Sequence, residues 1–261
     1  MVKFSYPNVS LLITHYNRSA SLHRLLTAFQ RLGFEFGEIV VSDDGSNKAH
    51  LSRICAMQER FQFKLVTTPV NLGLGNNLNK GQDAVTKPFT LYVQEDFIPF
   101  EAFRDEFPNA LQFMQKDADL DIIRFYAYFR YPYTRPYGKG FSEMIFKLNL
   151  WYIDHLKFYF YSDHPHLRRS NFFQKFGRYP EGLKGDLTEF SMCLSFVKHG
   201  AKGLFYDKFR DLFDQVNYDE EPSTMRRSRW KQQNTFPIFV LRALYQKYRL
   251  VKNTVQFLLL K

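Results

Sequence analysis

Three groups of acidic residues lie beside apolar runs and are the residues of this chain best suited to chemistry. Asp43–Asp44 follows the run Glu38–Ser42, Glu95–Asp96 follows Phe89–Val93, and Glu189 precedes an apolar helical stretch. Short apolar runs bounded by turn residues are typical of buried parallel strands. Ligands of open α/β sheets bind at the carboxyl ends of such strands. Carboxylates at those ends could hold a divalent cation.

The elements that must position these acids alternate along the N-terminal half. Apolar runs predict four strands: Val9–Ile13, Glu38–Ser42, Phe63–Val66 and Phe89–Val93. Amphipathic or helix-like stretches between and after them predict four helices: Ser19–Leu32, Ala49–Arg60, Gly75–Val85 and Glu101–Gln115. The alternation predicts an α/β fold with a mostly parallel sheet flanked by helices.

The second half is less regular. Ile122–Tyr128 reads as a strand, Gly185–Gly200 as an amphipathic helix and Gly203–Tyr206 as a late strand. Residues 129–180 between them are crowded with Tyr, Phe, Arg, Pro and His. Most of these rings are expected to build core, and the order of elements in this region stays open.

Bulk properties suit one large domain with an appendage. The formal net charge is +10, and residues 222–261 hold nine Lys and Arg side chains with no Asp or Glu. The excess charge therefore belongs to the tail and not to the rest of the fold. Cys55 and Cys193 are expected to be buried free thiols of a reducing compartment. No apolar leader and no membrane-spanning run is seen, so a cytoplasmic protein is expected.

Four motifs occur in a fixed order: Val9–Arg18, Glu38–Ser46, Asn71–Gly81 and Leu91–Asp96. Each motif alone is weak, because Asp-Gly turns and strand-to-helix turns are common. Together they resemble the family 2 glycosyltransferases of the GT-A (Rossmann-like) fold, of the type found in bacterial surface-polysaccharide assembly. The resemblance covers residues 7–100 well and residues 180–203 moderately.

The resemblance implies a nucleotide-sugar site. Thr14, Tyr16 and Arg18 would lie near the base and ribose, and Asp43 would contact the base with Asp44 beside it. A plain strand-to-helix turn remains the alternative for residues 14–18. From the third motif, the binding residues would be Asn71, Gly73 and Asn79. The family often has an arginine where this chain has Leu78, so that phosphate or base contact is missing or supplied elsewhere.

The metal position departs from the family. The family has Asp-x-Asp after the fourth strand, and this chain has Gln94, Glu95 and Asp96. Gln94 could bond a ribose hydroxyl, and Asp96 matches the usual direct ligand of Mg²⁺ or Mn²⁺, with Glu95 as a possible second ligand. A divalent ion would neutralise the leaving nucleoside diphosphate. A surface loop with two acids is the alternative.

Inverting transfer needs a general base to accept the proton of the attacking hydroxyl. The resemblance aligns Thr188–Glu189 with the family's Glu-Asp pair, so Glu189 is the predicted base and Asp186 the alternative. A carboxylate placed only to face the helix dipole would explain the same position.

Tyr161–Arg169 is the densest polar cluster of the aromatic half. Four of its side chains could contact a phosphate or the acceptor: His164, His166, Arg168 and Arg169. Arg168 and Arg169 could bind an acceptor diphosphate. The alternative is a solvated loop.

The tail Phe236–Leu260 carries Phe239, Leu244, Tyr248, Val251 and Val255 on roughly one face, with basic residues between them. A second basic group surrounds Trp230. Residues 226–260 are therefore expected to meet an anionic membrane surface. Packing on the domain, or on a second subunit in a homodimer, is the main alternative. No DNA- or RNA-binding motif accompanies the charge, so no nucleic-acid partner is expected.

The resulting interpretation has two parts. Residues 1–221 form a GT-A domain, with a nucleotide-binding half at about 1–100 and an acceptor half at about 101–221, and residues 222–261 form a basic amphipathic extension. The expected reaction is inverting transfer of a sugar, from a UDP-sugar first among donors, to a saccharide or polyprenol-linked acceptor at the inner face of the cytoplasmic membrane. The rivals are a non-catalytic nucleotide-sugar or saccharide-binding module on a degenerate fold, and a sugar nucleotidyltransferase. The latter would want a Gly-rich basic loop after the first strand, which Thr14–Arg18 lacks.

Overall fold

A computed structural model describes residues 3–217, residue 221 and residues 236–260. The strands in these residues are β1 (Phe4–His15), β2 (Phe34–Asp43), β3 (Lys64–Val66), β4 (Phe89–Gln94), β5 (Phe97–Pro99), β6 (Leu120–Arg124), β7 (Thr134–Gly138), β8 (Phe141–Met144), β9 (His166–Arg169), β10 (Lys202–Tyr206) and β11 (Phe213–Gln215). The helices are α1 (Ser19–Arg31), α2 (Lys48–Phe61), α3 (Leu74–Asp83), α4 (Glu101–Lys116), α5 (Phe172–Phe176), α6 (Gly185–Lys198) and α7 (Phe236–Leu259). A short 3-10 helix spans His155–Phe158.

Nine of the strands found in these ranges form one sheet in the order β3-β2-β1-β4-β9-β6-β10-β8-β7. The pairs β2–β3, β1–β2, β1–β4 and β6–β10 are parallel, whereas β9 is antiparallel to both of its neighbours. Strand β8 is antiparallel to β10 and β7. The direction is therefore shared by all strands of the sheet except β9 and β8, which confirms the predicted mostly parallel α/β architecture.

The core has two layers, one on each face of the sheet. Side chains of α1 and α4, including Leu22, Leu25, Phe103 and Phe107, are fully buried in one layer. The other layer gathers residues of α3, α5 and α6, such as Leu78 and Phe196. Because alternate residues of a strand face opposite sides, β1 and β4 supply both layers. Their carboxyl ends are thereby fixed at one edge of the sheet.

The structure confirms the element types predicted for the N-terminal half, with small shifts of bounds. The region 129–180, whose order of elements stayed open, contains β7, β8, β9 and α5. Burial was predicted for both cysteines. It is correct for Cys193 and wrong for Cys55, which is exposed. No helix in the described part of the chain is long and apolar enough to cross a membrane.

Candidate active site

The turns that follow β1 and β2 are joined by a buried histidine–carboxylate bond. His15 Nδ1 lies 2.8 Å from Asp43 Oδ1, and the backbone N–H of Arg18 donates to His15 Nε2 over 3.0 Å. Because Nε2 accepts, Nδ1 carries the proton and donates to Asp43. Asp43 also accepts bonds from Ser46 and Thr67. Burial acts to raise the pKa of Asp43, but these hydrogen bonds outweigh it and hold that pKa well below its ordinary range.

Asp44 holds the loop that leads into α3. Its two carboxylate oxygens accept the backbone N–H groups of Leu72 and Gly73 at 2.8 and 3.0 Å. Gly73 has a φ of 90°, a conformation that favours glycine. A carboxylate has about four acceptor positions, so these two bonds leave Asp44 with acceptor capacity. Burial raises the pKa of Asp44, and the charge of Lys80 opposes that rise.

The third motif mainly fixes α3 to the chain before α6. Asn79 is buried and exchanges hydrogen bonds with the backbone of Tyr179, and it also donates to Glu181. Leu78 lies in the core, while Asn71 is exposed. Asn79 is thus committed to the fold in this structure, and Asn71 lies at the surface beside the loop that Asp44 holds.

Thr14 and Tyr16 stand at the end of β1. Thr14 Oγ1 is 2.8 Å from the hydroxyl of Tyr92 in the adjacent strand β4. Tyr16 is half-buried in the turn that follows. Asn17 completes the turn in a left-handed conformation, with φ of 52°, and its backbone N–H donates to Ser46. These contacts bring the first and second predicted motifs together.

A buried guanidinium contacts both acids at the end of β4. Arg18 Nη1 lies 3.3 Å from Glu95 Oε1 and 3.5 Å from Asp96 Oδ2. Gln215 donates to Asp96 Oδ2, whereas Asp96 Oδ1 is buried with no hydrogen-bond partner. Burial and the neighbouring Asp96 charge raise the pKa of Glu95 to about 7, although Arg18 opposes the rise. This crowded acidic pair is incompletely neutralised by the protein.

A second pair of carboxyl groups lies beside the first. Glu189 Oε1 accepts the hydroxyl of Ser162 over 2.9 Å and the backbone N–H of Asp163 over 3.3 Å. Gln94, at the end of β4, donates to Asp163 Oδ2 over 3.2 Å. Burial, followed by the charge and hydrogen bond of Glu189, raises the pKa of Asp163 well above its ordinary range. The ionised form of Asp163 is therefore disfavoured beside the Glu189 carboxyl group.

Sequence reasoning did not single out Asp163. The signal was its position inside the polar cluster Tyr161–Arg169, directly before β9, whose place between β4 and β6 brings Asp163 to Gln94. Asp186, the alternative base, is exposed in the first turn of α6. Glu189 lies three residues further along the helix and meets the site.

Of the other predicted residues in that cluster, the structure places only His164 near the site. His164 is 2.9 Å from Ser162 Oγ, which also bonds Glu189. His166 and Arg168 are fully buried, and Arg168 donates to His166, Tyr179 and Gln82 inside the core.

Arg169 points to the other side of the strand. Its guanidinium donates to the backbone carbonyls of Leu120, Met114 and Asp117. Neither Arg168 nor Arg169 is therefore open to an acceptor phosphate in this structure.

The N-terminus of α1 is occupied by a carboxylate of the chain itself. We expect helix N-termini to attract anions, and Glu221 accepts the backbone N–H groups of Ala20 and Ser21, both at 2.9 Å. Asn217, close to Glu221 in sequence, accepts from Arg18 Nη2 over 2.8 Å. Asn217 and Glu221, both after β11, therefore contact the start of α1 and the residue before it.

The residues at the end of β4 suit a divalent cation only with help from a ligand. The described residues contain no group of three or more His, Cys, Asp or Glu side chains arranged around a metal position. Asp96 Oδ1, buried and unbonded, and Glu95, with its raised pKa, are the oxygens that a cation would satisfy. Mg²⁺ and Mn²⁺ commonly accept one or two carboxylates and complete their shell with phosphate oxygens and water. The residues fit such a cation when a diphosphate accompanies it.

The family model for glycosyl transferase family 2 matches residues 10–177. The chain belongs to this family. Its fold is that of the GT-A enzymes: the structure of Staphylococcus aureus TarS 1–349 in complex with UDP-GlcNAc aligns with a TM-score of 0.62 and 16% identity over 96% of this chain and 71% of that one. A mannosyltransferase, PcManGT from Pyrobaculum calidifontis in complex with GDP-Man and Mn²⁺, aligns with a TM-score of 0.52 and 14% identity over 77% of this chain and 56% of that one.

The chain spans only part of the length of these neighbours. In another alignment it spans 59% of the TarS 1–349 chain, and it spans 36% of a longer TarS structure. No match was found among curated proteins. At such identities the likeness extends to the fold, and the family match shows a glycosyltransferase domain.

Proposed function

We propose that this glycosyltransferase transfers a sugar, with inversion, from a nucleotide-diphosphate sugar to a saccharide or lipid-linked saccharide. The observation that carries the proposal is the bond from Gln94 to Asp163. It joins the Glu95–Asp96 pair, suited to a cation and a diphosphate, to the Asp163–Glu189 pair, suited to accept a proton. An activated sugar between the two pairs would have its leaving group at one and its attacking hydroxyl at the other.

The donor base and phosphates would lie along the turns after β1 and β2. Asp43 already accepts four hydrogen bonds from the protein, so we propose that Asp44 makes the base contact that the sequence analysis gave to Asp43. Lys80 lies beside these acids, and its ammonium donates to the backbone carbonyl of Asp43. In many family members an arginine occupies the position of Leu78. We propose that the ammonium group of Lys80 supplies the positive charge that this arginine would supply.

Asp96 and Glu95 would hold the divalent cation. When bound, Mg²⁺ or Mn²⁺ supplies positive charge to the leaving diphosphate. Arg18, which contacts both acids, is placed to add a hydrogen bond to the same anion. The mannosyltransferase PcManGT, which shares this fold, was solved with Mn²⁺, and this supports the assignment.

Glu189 would act as the general base. The acceptor oxygen attacks the anomeric carbon, its proton passes to Glu189, and the bond from that carbon to the diphosphate oxygen breaks with its electron pair leaving on the diphosphate. Asp163 would retain its proton and orient Glu189, and Ser162 would hold the ionised oxygen. A single displacement of this kind inverts the anomeric centre.

A UDP-sugar is the donor that we propose first, because S. aureus TarS was solved with UDP-GlcNAc and with UDP. Donor binding and hydrolysis should be measured with UDP-GlcNAc, UDP-Glc, GDP-Man and dTDP-Glc, each with Mn²⁺ and with EDTA. Metal-dependent hydrolysis of one donor supports the enzyme. Tight binding of a donor without transfer to any saccharide would favour the alternative, a non-catalytic binding module. Gln94 and Leu78, where the chain differs from the family pattern, are the residues that suggest this alternative.

We propose further that the acceptor is met at a membrane, on its inner face, as a saccharide carried by polyprenol. Helix α7 supports this through its basic residues and an exposed apolar face that includes Leu244, Tyr248, Val251 and Val255. The basic group around Trp230 and the side chain of Phe239, which belong to the same prediction, lie outside the described residues.

A further inference from the structure

Helix α7 has two apolar faces. One packs on the domain, where Leu250, Phe257 and Leu260 meet the core and Asn253 is 1% exposed. The opposite face carries six side chains, each at least 47% exposed, that recur alternately three and four residues apart: Leu241, Leu244, Tyr248, Val251, Val255 and Leu258. We name these six the outer stripe. Packing on the domain therefore explains only half of this helix.

A second exposed apolar group lies in the loop of residues 147–153, which we name the Trp151 loop. Leu150 and Trp151 are 91% and 86% exposed, the highest values among the large apolar side chains reported as exposed in the described chain. Leu148 and Ile153 in the same loop are also exposed. A contiguous apolar patch of this kind usually marks a binding surface.

The loop is built to present these side chains. The buried Lys157 ammonium donates to the backbone carbonyls of Lys147 and Tyr152, closing the loop on itself. The ring of Tyr152 packs on Tyr133 with centroids 4.4 Å apart, and the backbone N–H of Trp151 donates to the side-chain oxygen of Asn149 over 3.1 Å. Backbone groups of the loop are thus hydrogen-bonded within it, while the side chains of Leu150 and Trp151 face solvent.

The Trp151 loop and α7 adjoin one another. Phe146, at the start of the loop, packs on Phe257 of α7 with ring centroids 5.5 Å apart. On the far side of the loop, the Arg249 guanidinium of α7 lies 5.9 Å from the centre of the Tyr159 ring and bonds its hydroxyl. The Trp151 loop and α7, the helix that carries the outer stripe, are therefore neighbours in the structure.

Charge decides which partner fits this surface. Arg242, Lys247 and Lys252 lie on α7, and the chain from residue 222 onward has no acidic residue. A second copy would pair the stripe with itself as a coiled coil, and Lys247 would then face Lys252 of its partner across a parallel seam. An anionic bilayer instead meets both the apolar groups and the flanking cations.

We infer that the Trp151 loop and the outer stripe of α7 form a two-part footprint that inserts into the interfacial layer of an anionic membrane. The inference rests on the proposed function in taking the membrane as the place of the acceptor. It adds a second element, the loop, that the sequence pattern of the tail does not contain. Tryptophan suits this layer because its ring is apolar and its N–H is polar.

The test uses the fluorescence of Trp151 in the full chain. The chain has two tryptophans, so Trp230→Phe leaves Trp151 as the reporter. Vesicles of phosphatidylcholine with phosphatidylglycerol should shift its emission to the blue, and bromine-labelled acyl chains should quench it, whereas pure phosphatidylcholine should do neither. In the chain that keeps Trp230, Leu150→Ser with Trp151→Ser should lower vesicle binding about tenfold.

Phe100→Ser is the matched control. Phe100 is an exposed ring at the N-cap of α4, where serine is a favoured residue, so vesicle binding should stay unchanged. Vesicle binding that leaves Trp151 emission unaltered would overturn the inference, and so would a lipid-free dimer that buries Trp151. Donor hydrolysis without vesicles reports the proposed function separately: insertion with no turnover of any donor would overturn that function alone.

Discussion

The site contains two pairs of neighbouring carboxyl groups, and the charge repulsion within each pair is reduced in a different way. Glu95 and Asp96 are partly neutralised by the guanidinium of Arg18, at 3.3 and 3.5 Å. In the second pair, burial and the charge of Glu189 raise the pKa of Asp163 and so favour its protonated form. Two carboxylates this close cannot both stay ionised in a buried site without a cation or a proton. The Glu95–Asp96 pair, with the guanidinium of Arg18 beside it, suits an anionic leaving group. The Asp163–Glu189 pair suits proton transfer.

The difference follows from the elements that carry the pairs. Both members of the first pair are consecutive residues directly after β4. Arg18, in the turn after the neighbouring strand β1, therefore reaches both of them. The second pair joins a loop before β9 to the second turn of α6, and its contacts are hydroxyl and backbone donors. The oxygens of Glu189 meet hydroxyl and backbone donors, whereas Glu95 and Asp96 share the guanidinium of Arg18 and are the proposed cation ligands. For this reason we propose Glu189, and not Glu95, as the base.

The largest effect should come from Glu189→Gln. The change keeps shape but removes the proton acceptor, so we expect kcat to fall about 10³-fold while the donor Kd stays within about twofold. Asp186→Asn, an exposed acid three residues away, is the matched control and should retain nearly full turnover. Equal losses in the two variants, measured under saturating donor, would contradict the assignment of the base.

Arg18→Met should break the first pair. Two buried carboxylates would lose their guanidinium, so the free energy of unfolding should fall by about 3 kcal/mol without metal. Mn²⁺ should then raise the melting temperature more in the variant than in the natural chain, because the cation replaces the lost charge. The exposed Arg53→Met serves as control. A variant that melts like the natural chain in EDTA would show that Arg18 does not balance Glu95 and Asp96.

The nucleotide half could be predicted well because its signals are local. Each motif follows directly on an apolar strand, and parallel strands bring their carboxyl ends to one edge. The family resemblance then supplied the roles. The residues themselves could not reveal how many hydrogen bonds each carboxylate already accepts from the protein. Asp43 and Asp44 look alike in sequence. In the structure, Asp43 accepts bonds from His15, Ser46 and Thr67, whereas Asp44 keeps acceptor capacity. That distinction depends on hydrogen-bond partners that lie tens of residues away in the sequence, and a local pattern does not identify them.

The acceptor half was less predictable because β9 enters the sheet antiparallel between β4 and β6. That long-range pairing brings Asp163 to Gln94, and no local pattern announces it. One local rule did apply to the arginines. Neighbouring residues of a strand face opposite sides, so Arg168 and Arg169 could not both reach one acceptor once the segment is a strand. Their burial follows from that placement.

Asp163→Asn should sharpen the description of the second pair. The native pKa of Asp163 is raised above its ordinary value of about 4. Between those two values the folded chain holds a proton that the unfolded chain has released, so stability falls as pH rises, by up to about 1.4 kcal/mol per pH unit. Asparagine still donates to Glu189 but does not titrate, so the slope should become smaller in this variant, while the part that comes from Glu95, whose pKa is raised to about 7, should remain.

Urea unfolding at several pH values between about 5 and 8 measures the slope in each chain. Asp186→Asn removes an acid whose side chain is exposed on the same helix as Glu189, and it should keep the slope of the natural chain. An unchanged slope in Asp163→Asn would mean that the proton belongs to another group of the site. The Asn variant should also retain part of its turnover, since its role is to orient Glu189.

The smallest effect concerns the bond that joins the two pairs. Gln94→Met removes the donor to Asp163 Oδ2 at 3.2 Å while keeping a side chain of similar length. A single neutral hydrogen bond contributes about 1 kcal/mol, so the free energy of unfolding should fall by that amount and kcat by only a few-fold. Gln94→Glu should cost more, because a third carboxyl would then face Asp163. If methionine and glutamate at residue 94 behave alike in urea unfolding and in turnover, the two pairs act independently, and Gln94 does not link them.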